Sequence, residues 1–597
     1  MNDASQPDIT DSLPTWNLSD LYSSKDAPEL SEDMDWAKTE SESFASDLQG
    51  KLADLSGAEL GEGIERYEQI LDRLFKVMSY AQLLHAGDVS DPEIGAFYQT
   101  LHEQVTDITS LTLFFTLELN RLDDDVLAKQ LEDPKAARYA PWVRDTRAFR
   151  PHQLEDDMEK LLHEKSVSGR AAWARLFDET MADMRFDVKG DEKTLGETLN
   201  LLSDTDGETR KTGAKALSKG LQNYLRPLSL ITNTLAKDKE IEDNWRGYTS
   251  PVSSRNLGNR VEDEVVEALV VAVKDSYADL AHRYYALKAE WFGQDQLDYW
   301  DRNAPLPDAD DRRFAWGEAK DTVLDAYSSF APEMASIAGR FFDERWIDAP
   351  PRPGKNSGAF AHPTVSSAHP YVLVNFHGKT RDVMTLAHEL GHGVHQVLAA
   401  PQGTLMADTP LTLAETASVF GEMLTFQAML KAESDPARRR AMLAGKVEDM
   451  MNTVVRQIAF HEFERHVHTE RQNGELSADR LGDIWMQTQT ESLGPALRFD
   501  DDYRVFWGYI PHFIHTPFYV YAYAFGDCLV NSLYDVFAGG HPDFQVKYFD
   551  MLKAGGTKRH GELLAPFGLD ASDPNFWKRG LSVVSRFVDE LEGMSAG

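Results

Sequence analysis

His388 and His392 stand four residues apart in the run Thr385-Leu386-Ala387-His388-Glu389-Leu390-Gly391-His392-Gly393-Val394-His395. Met384, Ala387, Gly391, Val394 and Leu398 recur at helical spacing, so the run reads as a helix with an apolar back. Residues four apart on a helix project from one face, one turn from each other, and two imidazoles placed so can hold one zinc ion. Glu389 lies beside them, a carboxylate able to take a proton from a metal-activated water. With 18 histidines in 597 residues, the chance expectation of this pattern is on the order of a few hundredths. An exposed helix that happens to carry these residues is the bland alternative. It requires neither the apolar back nor the strand that precedes the run.

Two histidines leave a third protein ligand to find. A histidine six residues after His392 would supply one, but that position is Leu398. A glutamate from a following helix is the other common solution. Glu415 and Glu422, seven apart in Leu411-Thr412-Leu413-Ala414-Glu415-Thr416-Ala417-Ser418-Val419-Phe420-Gly421-Glu422, share a face if the helix is continuous. Ala414, Ala417, Ser418 and Gly421 are small and would let this helix approach the first. Spacing alone permits either glutamate as ligand with the other in support, or both on a solvated acidic face. His395 continues the histidine face and reads as a supporting or packing residue.

These residues need a scaffold, and most of the chain reads as helix. Ile64, Tyr67, Ile70, Leu71, Leu74, Phe75 and Met78 recur every three or four residues, as do Phe97, Leu101, Val105, Ile108, Leu111, Phe115 and Leu119. Such neighbouring amphipathic helices must pack on one another, so the N-terminal part reads as a bundle. The polar stretch Val188-Lys189-Gly190-Asp191 suggests a link, giving an N-terminal helical region 1–190 and a catalytic region 191–597. Tyr371-Val372-Leu373-Val374-Asn375-Phe376 is short, β-branched and bounded by turn residues, and reads as a strand. With the segment around Ser357–Ala361 it predicts a small sheet before the histidine helix, which begins near Arg381. Asp573-Pro574 reads as a helix start.

Composition limits the possible functions. There are 61 Lys+Arg against 98 Asp+Glu, a formal net charge of −37, with 27% charged and 42% hydrophobic residues. That is globular composition, and so acidic a surface repels nucleic-acid phosphate. The longest basic run, Arg438-Arg439-Arg440, reads as the solvated end of a helix. A single cysteine, Cys528, excludes an internal disulfide or a Cys-rich metal site and fits a reducing compartment. Met1–Asp8 lacks a basic patch followed by an apolar stretch, and Val265–Val273 is too short to span a bilayer. The expectation is a cytoplasmic protein that engages neither membrane nor nucleic acid.

The motif His388-Glu389-Leu390-Gly391-His392 followed by Glu415 through Glu422 resembles oligoendopeptidase F, within the thimet oligopeptidase family of zinc peptidases. Ser357-Gly358-Ala359-Phe360, Asn375-Phe376, Ile510-Pro511-His512-Phe513 and Pro517-Phe518-Tyr519-Val520-Tyr521-Ala522-Tyr523 are similar to the family's pattern as well. The resemblance covers nearly the whole chain, most specifically its catalytic half. It implies one zinc per chain, with Glu415 as third ligand and Glu422 in support. It implies a mainly α, elongated body with a small sheet beside the active-site helix and a deep channel that admits short unstructured peptides. Ser357, Gly358 and Ala359 would offer a strand edge to the substrate backbone. His512, Tyr519 and Tyr521 are the candidates for stabilising the oxyanion of amide hydrolysis, with the register among the tyrosines left open; core filling is the alternative for the aromatics. The expected activity is zinc-dependent endopeptidase cleavage. The rival readings are a related exopeptidase that captures a terminal carboxylate, and a non-catalytic peptide-binding scaffold.

Overall fold

The ends of the helices are written into the sequence. In the computed structural model, which describes residues 13–166, 168–306 and 312–595, α1 (Gly57–Gly87) starts at Ser56. The Ser56 hydroxyl accepts from the Glu59 amide, and the Glu59 carboxylate accepts from the Ser56 amide at 2.8 Å. α2 (Pro92–Arg121) starts at Asp91, which caps the amides of Glu93 and Ile94, with proline in the first turn. The two helices pack on each other and bury Ile64, Ile70, Leu71 and Leu74 against Leu101, Val105, Ile108, Phe115 and Leu119. Phe75 and Leu111, expected in the same stripes, are instead 42% and 38% exposed. They sit at the rim of stripes wider than the surface that covers them. The N-terminal stretch Met1–Asp8 lies outside the described residues.

The described chain forms two compact units with interleaved segments. The first takes residues 13–150, 312–432 and 540–567. Besides α1 and α2 it holds α3 (Trp316–Phe330) and a three-stranded sheet of β1 (Ile347–Asp348), β2 (Phe360–His362) and β3 (Tyr371–Leu373). The strand order is β1-β3-β2, with β3 parallel to β1 and antiparallel to β2. Tyr371, Val372 and Leu373 are all buried, as their unbroken apolar run requires, and Ala361 lies opposite Val372. β2 is an edge strand. The chain then enters α4 (Thr380–Ala399), which carries the histidine motif, and continues through the short α5 (Leu411–Ala414) into α6 (Ser418–Ala432). α4 and α6 are in extensive contact, and α3 packs on α6.

The second unit takes residues 151–306, 433–539 and 568–595. The link expected at Val188–Asp191 is here a hairpin turn: Phe186–Val188 pairs antiparallel with Asp191–Lys193, and Lys189 and Gly190 have φ of 56° and 95°. Two positive φ values in a two-residue turn match the twist of the paired strands, which a polar stretch read as linker does not reveal. Helix Pro436–Met450 runs through a π-helical turn, Met451–Val455, into α7 (Arg456–Arg471). Arg438 and Arg439 of the basic run are paired, with Glu433 and Glu590. α8 (Tyr521–Ala538) packs on the helix Pro574–Ser595, whose start Asp573 caps by accepting from the Asn575 amide at 2.9 Å. No described helix is long and apolar enough to cross a membrane.

Candidate active site

α4 is drawn close to its partner by glycine. A Cβ on Gly391 would lie 2.4 Å from the Ala417 carbonyl oxygen, so only glycine permits this approach. The close packing brings the turn after α5 up to the two histidines. Glu415 was expected on one continuous helix with Glu422, but it lies in the break between α5 and α6. Local side chains favour that break. The Thr416 hydroxyl donates to the Leu413 carbonyl at 2.6 Å, and Ser418 Oγ donates to Glu415 Oε2 at 2.6 Å. The buried Tyr548 hydroxyl donates to the Thr416 carbonyl at 2.9 Å and pins the turn from the other side.

Glu415 Oε2 lies 3.3 Å from His388 Nε2 and 3.5 Å from His392 Nε2. Four donors around a zinc ion at about 2.0–2.2 Å stand roughly 3.3–3.5 Å apart, so these residues fit such an ion. Among the described residues they are the one group of three or more His, Cys, Asp or Glu whose ligand atoms all lie within 4.8 Å of each other. Glu422, on α6, accepts from His388 Nδ1 at 3.1 Å, which leaves Nε2 turned toward Glu415. Glu389 is buried, and its carboxylate accepts from the backbone amide of Ala361 on β2. Gln396 Nε2 donates to the Ala361 carbonyl at 3.1 Å, so α4 grips the outer edge of β2 at both polar groups of that residue. Buried His395 has its Nε2 3.5 Å from the Thr409 hydroxyl, and the Ala414 carbonyl bears on both its ring and that of His392.

Charge compensation is tight. Burial works against a charge on His388, but the Glu422 hydrogen bond and the Glu415 and Glu422 carboxylates outweigh it and raise this imidazole to about 9. Burial takes His392 the other way, to about 4, and does the same to His395. Glu389 is lifted by burial to about 7. Burial opposes ionisation of Glu415 as well, yet His392, His388 and the Ser418 hydroxyl hold it below the usual carboxylate range.

Ser357 and Gly358 are exposed, and Ala359 leads into the edge strand β2. Asn375 fastens this loop by donating to the carbonyls of Asn356 and Gly358, each at 3.0 Å. On the second unit, His512 and Tyr519 stack with ring centres 6.2 Å apart, and His512 Nε2 is 3.3 Å from the Tyr523 hydroxyl. Tyr521 points elsewhere: it is fully buried, and its hydroxyl accepts from Asn259 Nδ2 at 2.8 Å. Tyr523 joins the cluster in its stead. The register among the tyrosines was open; the chain turns helical at Tyr521, which places the Tyr519 and Tyr523 rings 5.2 Å apart and sends Tyr521 to Asn259. The orienting roles of Ser418, Gln396 and Asn375 carried no motif signal of their own.

The profile of Peptidase family M3 matches residues 200–583, and that of Oligopeptidase F matches residues 118–186. The chain belongs to peptidase family M3. It is 28% identical over 598 residues to Oligopeptidase PepF of Bacillus subtilis (strain 168), an alignment covering 97% of this chain and 87% of that protein. It is 27% identical to Group B oligopeptidase PepB of Streptococcus agalactiae, covering 92% of each. The fold is similar to the crystal structure of oligoendopeptidase-F from Enterococcus faecium, with a TM-score of 0.70 at 21% identity over 95% of this chain and 99% of that one. As a member of family M3 the protein is a metallopeptidase acting as an endopeptidase. The mainly helical architecture expected from the sequence is the fold of this M3 peptidase.

Proposed function

We propose that this M3 peptidase cleaves internal bonds of short, unstructured peptides with one zinc ion per chain, held by His388, His392 and Glu415. The observation that carries the reading is the convergence of those three ligand atoms within 4.8 Å, with the Glu389 carboxylate on the same helix. Zinc, when bound, supplies Lewis acidity toward an attacking water and the scissile carbonyl. Glu389 takes the proton of that water on its carboxylate oxygen and later delivers it to the leaving amine. Glu422 keeps the proton of His388 on Nδ1, so that Nε2 is free to ligate. His395 steadies the Ala414 carbonyl and thereby the turn that carries Glu415. Ser357, Gly358 and Ala359 align the substrate backbone just ahead of β2, whose outer edge at Ala361 is taken by α4. His512, Tyr519 and Tyr523 donate to the developing oxyanion, while Tyr521 is a core residue committed to Asn259. The names of the relatives, oligopeptidase and oligoendopeptidase, support short peptides as substrates. A cytoplasmic setting completes the proposal, in keeping with a single, buried Cys528.

The test is incubation of the purified protein with a defined peptide mixture, with and without a chelator, and identification of products by mass. Internal fragments that vanish with chelator and return with zinc are expected. Products trimmed from one end only would favour the exopeptidase, and binding without products the scaffold.

A further inference from the structure

Tyr327 on α3 is fully buried, and its hydroxyl reaches the histidine helix, where it donates to the Ala387 carbonyl at 2.5 Å. That carbonyl lies inside α4, and its oxygen has a second lone pair besides the one that serves the helix ladder. On the other side stands α6. A Cβ on Gly421 would come within 2.8 Å of the ring carbon that bears the Tyr327 hydroxyl, and closer still to the hydroxyl itself. Only glycine lets α6 lie so near. The hydroxyl is thus wedged between Ala387 and Gly421, the residues directly before His388 and Glu422.

α4 and α6 meet at two such points. Gly391 lies directly on Ala417, and four residues along each chain Ala387 faces Gly421 through the Tyr327 hydroxyl. Two points of contact fix the spacing and the tilt of one helix on another. The bond from His388 Nδ1 to Glu422 Oε2 stands beside the second point and measures 3.1 Å, at the long end for such a bond. A small further separation of the helices there would break it. Burial, with the charges of Glu422 and Glu389, holds the Tyr327 phenol well above its ordinary range, so the hydroxyl stays a donor. Although both charges bear on it, its proton goes to the α4 backbone.

We propose that Tyr327 is a positioning residue of the metal site. Its hydroxyl sets the spacing of α4 and α6 at the level of His388 and Glu422, and so the orientation of His388 toward zinc. This rests on the zinc peptidase reading above. Tyr327 acts only through that pair and is neither ligand nor base. A tyrosine that merely satisfied its hydroxyl in the core would cost stability when truncated and leave metal binding alone.

The test measures zinc affinity by competition with a chelator in the wild type, Tyr327→Phe, Glu422→Ala and the double variant. Phenylalanine keeps the ring and removes only the wedge. Tyr327→Phe should weaken zinc binding about tenfold, the lower end of losses for groups that support a ligand. In the Glu422→Ala background the same change should matter by less than about twofold, because the bond it protects is already gone. Tyr371→Phe is the control. Tyr371 is equally buried in the same unit, its hydroxyl donates to the Asn17 carbonyl at 2.8 Å, and its loss should leave zinc affinity at the wild-type level. Where a variant is too unstable for the competition, the rise of its urea midpoint on adding zinc gives the same ranking. That rise is taken within one variant, so a general loss of stability cancels. Unchanged zinc affinity in Tyr327→Phe overturns the proposal, as does an equal loss in both backgrounds or in the Tyr371 control. A wild type that binds no zinc fails the metal reading instead, and the wedge is then judged on the metal-free chains. There the stability losses of Tyr327→Phe and Glu422→Ala should sum to more than that of the double variant, and full additivity would overturn the wedge.

Discussion

α4 and α7 are both rich in histidine and glutamate: half-buried His388 and His392 with buried Glu389 and His395 on the one, buried His461, Glu462, Glu464 and His468 on the other. On α4 the imidazoles of His388 and His392 are one turn apart, with ring centres at 4.9 Å, and both open toward Glu415. On α7, His461 and His468 are seven residues apart, about 10.5 Å along the axis, too far to share an ion. Both pack instead on the Phe518 ring, at 5.8 and 4.9 Å. Glu462 is taken by Lys274 and Arg465 at 2.6 and 2.8 Å. Glu464 Oε1 accepts from the amide of Phe518, whose φ of 60° puts a non-glycine residue in the left-handed region. α7 thus spends the same residue types on holding a strained backbone one residue before Tyr519. Residue type makes a metal site only where spacing and a third donor converge.

The largest expected difference between the two helices is catalytic. Glu389→Gln on α4 keeps shape and neutral packing but cannot accept a proton. Its turnover should fall by about 10²–10⁴-fold with metal content intact, measured by peptide hydrolysis beside metal analysis. Turnover near the wild-type rate would remove Glu389 as the base.

The aromatic segment that α7 supports comes next. Tyr519→Phe or Tyr523→Phe should lower kcat by at most about 100–1000-fold while KM and metal content stay nearly constant, since the oxyanion exists only as the barrier is crossed. Tyr521→Phe should instead cost about 1 kcal/mol of stability through the lost Asn259 bond and leave kcat alone. If Tyr521→Phe is the variant that slows turnover, the assignment within the segment is reversed.

How far the sequence reaches follows from these same residues. The i, i+4 histidines, the following glutamates and the strand before the motif were legible, because each depends on local periodicity or on a residue type with one dominant use. The pairing of His388 with Glu422 and the break at Glu415 were not. They depend on Gly391 admitting the turn and on Thr416 and Ser418 competing for its backbone. The hairpin at Lys189-Gly190 was hidden for a related reason: its turn is specified by φ values, and lysine is an uncommon residue there. Among the tyrosines, the register stayed open because it depends on where the helix starts, at Tyr521.

A smaller effect separates metal ligand from support. Glu415→Ala removes a ligand and should all but abolish tight zinc binding. Glu422→Ala removes the acceptor from His388 Nδ1 and should weaken binding about 10–100-fold, read by competition with a chelator. The reverse ranking would make Glu422 the ligand and return Glu415 to a structural role.

A last difference is on α7 and concerns stability against pH. Burial raises the Glu464 carboxyl from 4.5 to about 8, and its Oε2 has no hydrogen-bond partner. The folded protein therefore keeps this proton up to about pH 8, whereas the unfolded chain releases it near 4.5. Between those values the native state binds one more proton than the unfolded state, so stability falls as pH rises. The slope from this one group is about 1.4 kcal/mol per pH unit, and the loss ends above the folded pKa. Glu464→Gln keeps the acceptor for the Phe518 amide and has no proton to lose, so its stability should lack this component. Urea midpoints for wild type and variant should diverge steadily from pH 5 to pH 8 in the variant's favour, then run parallel. Parallel curves over the whole range would mean that Glu464 ionises inside the folded protein as it does in water. The contrast between α4, where carboxylates are held for chemistry, and α7, where one is held neutral for structure, would then fail.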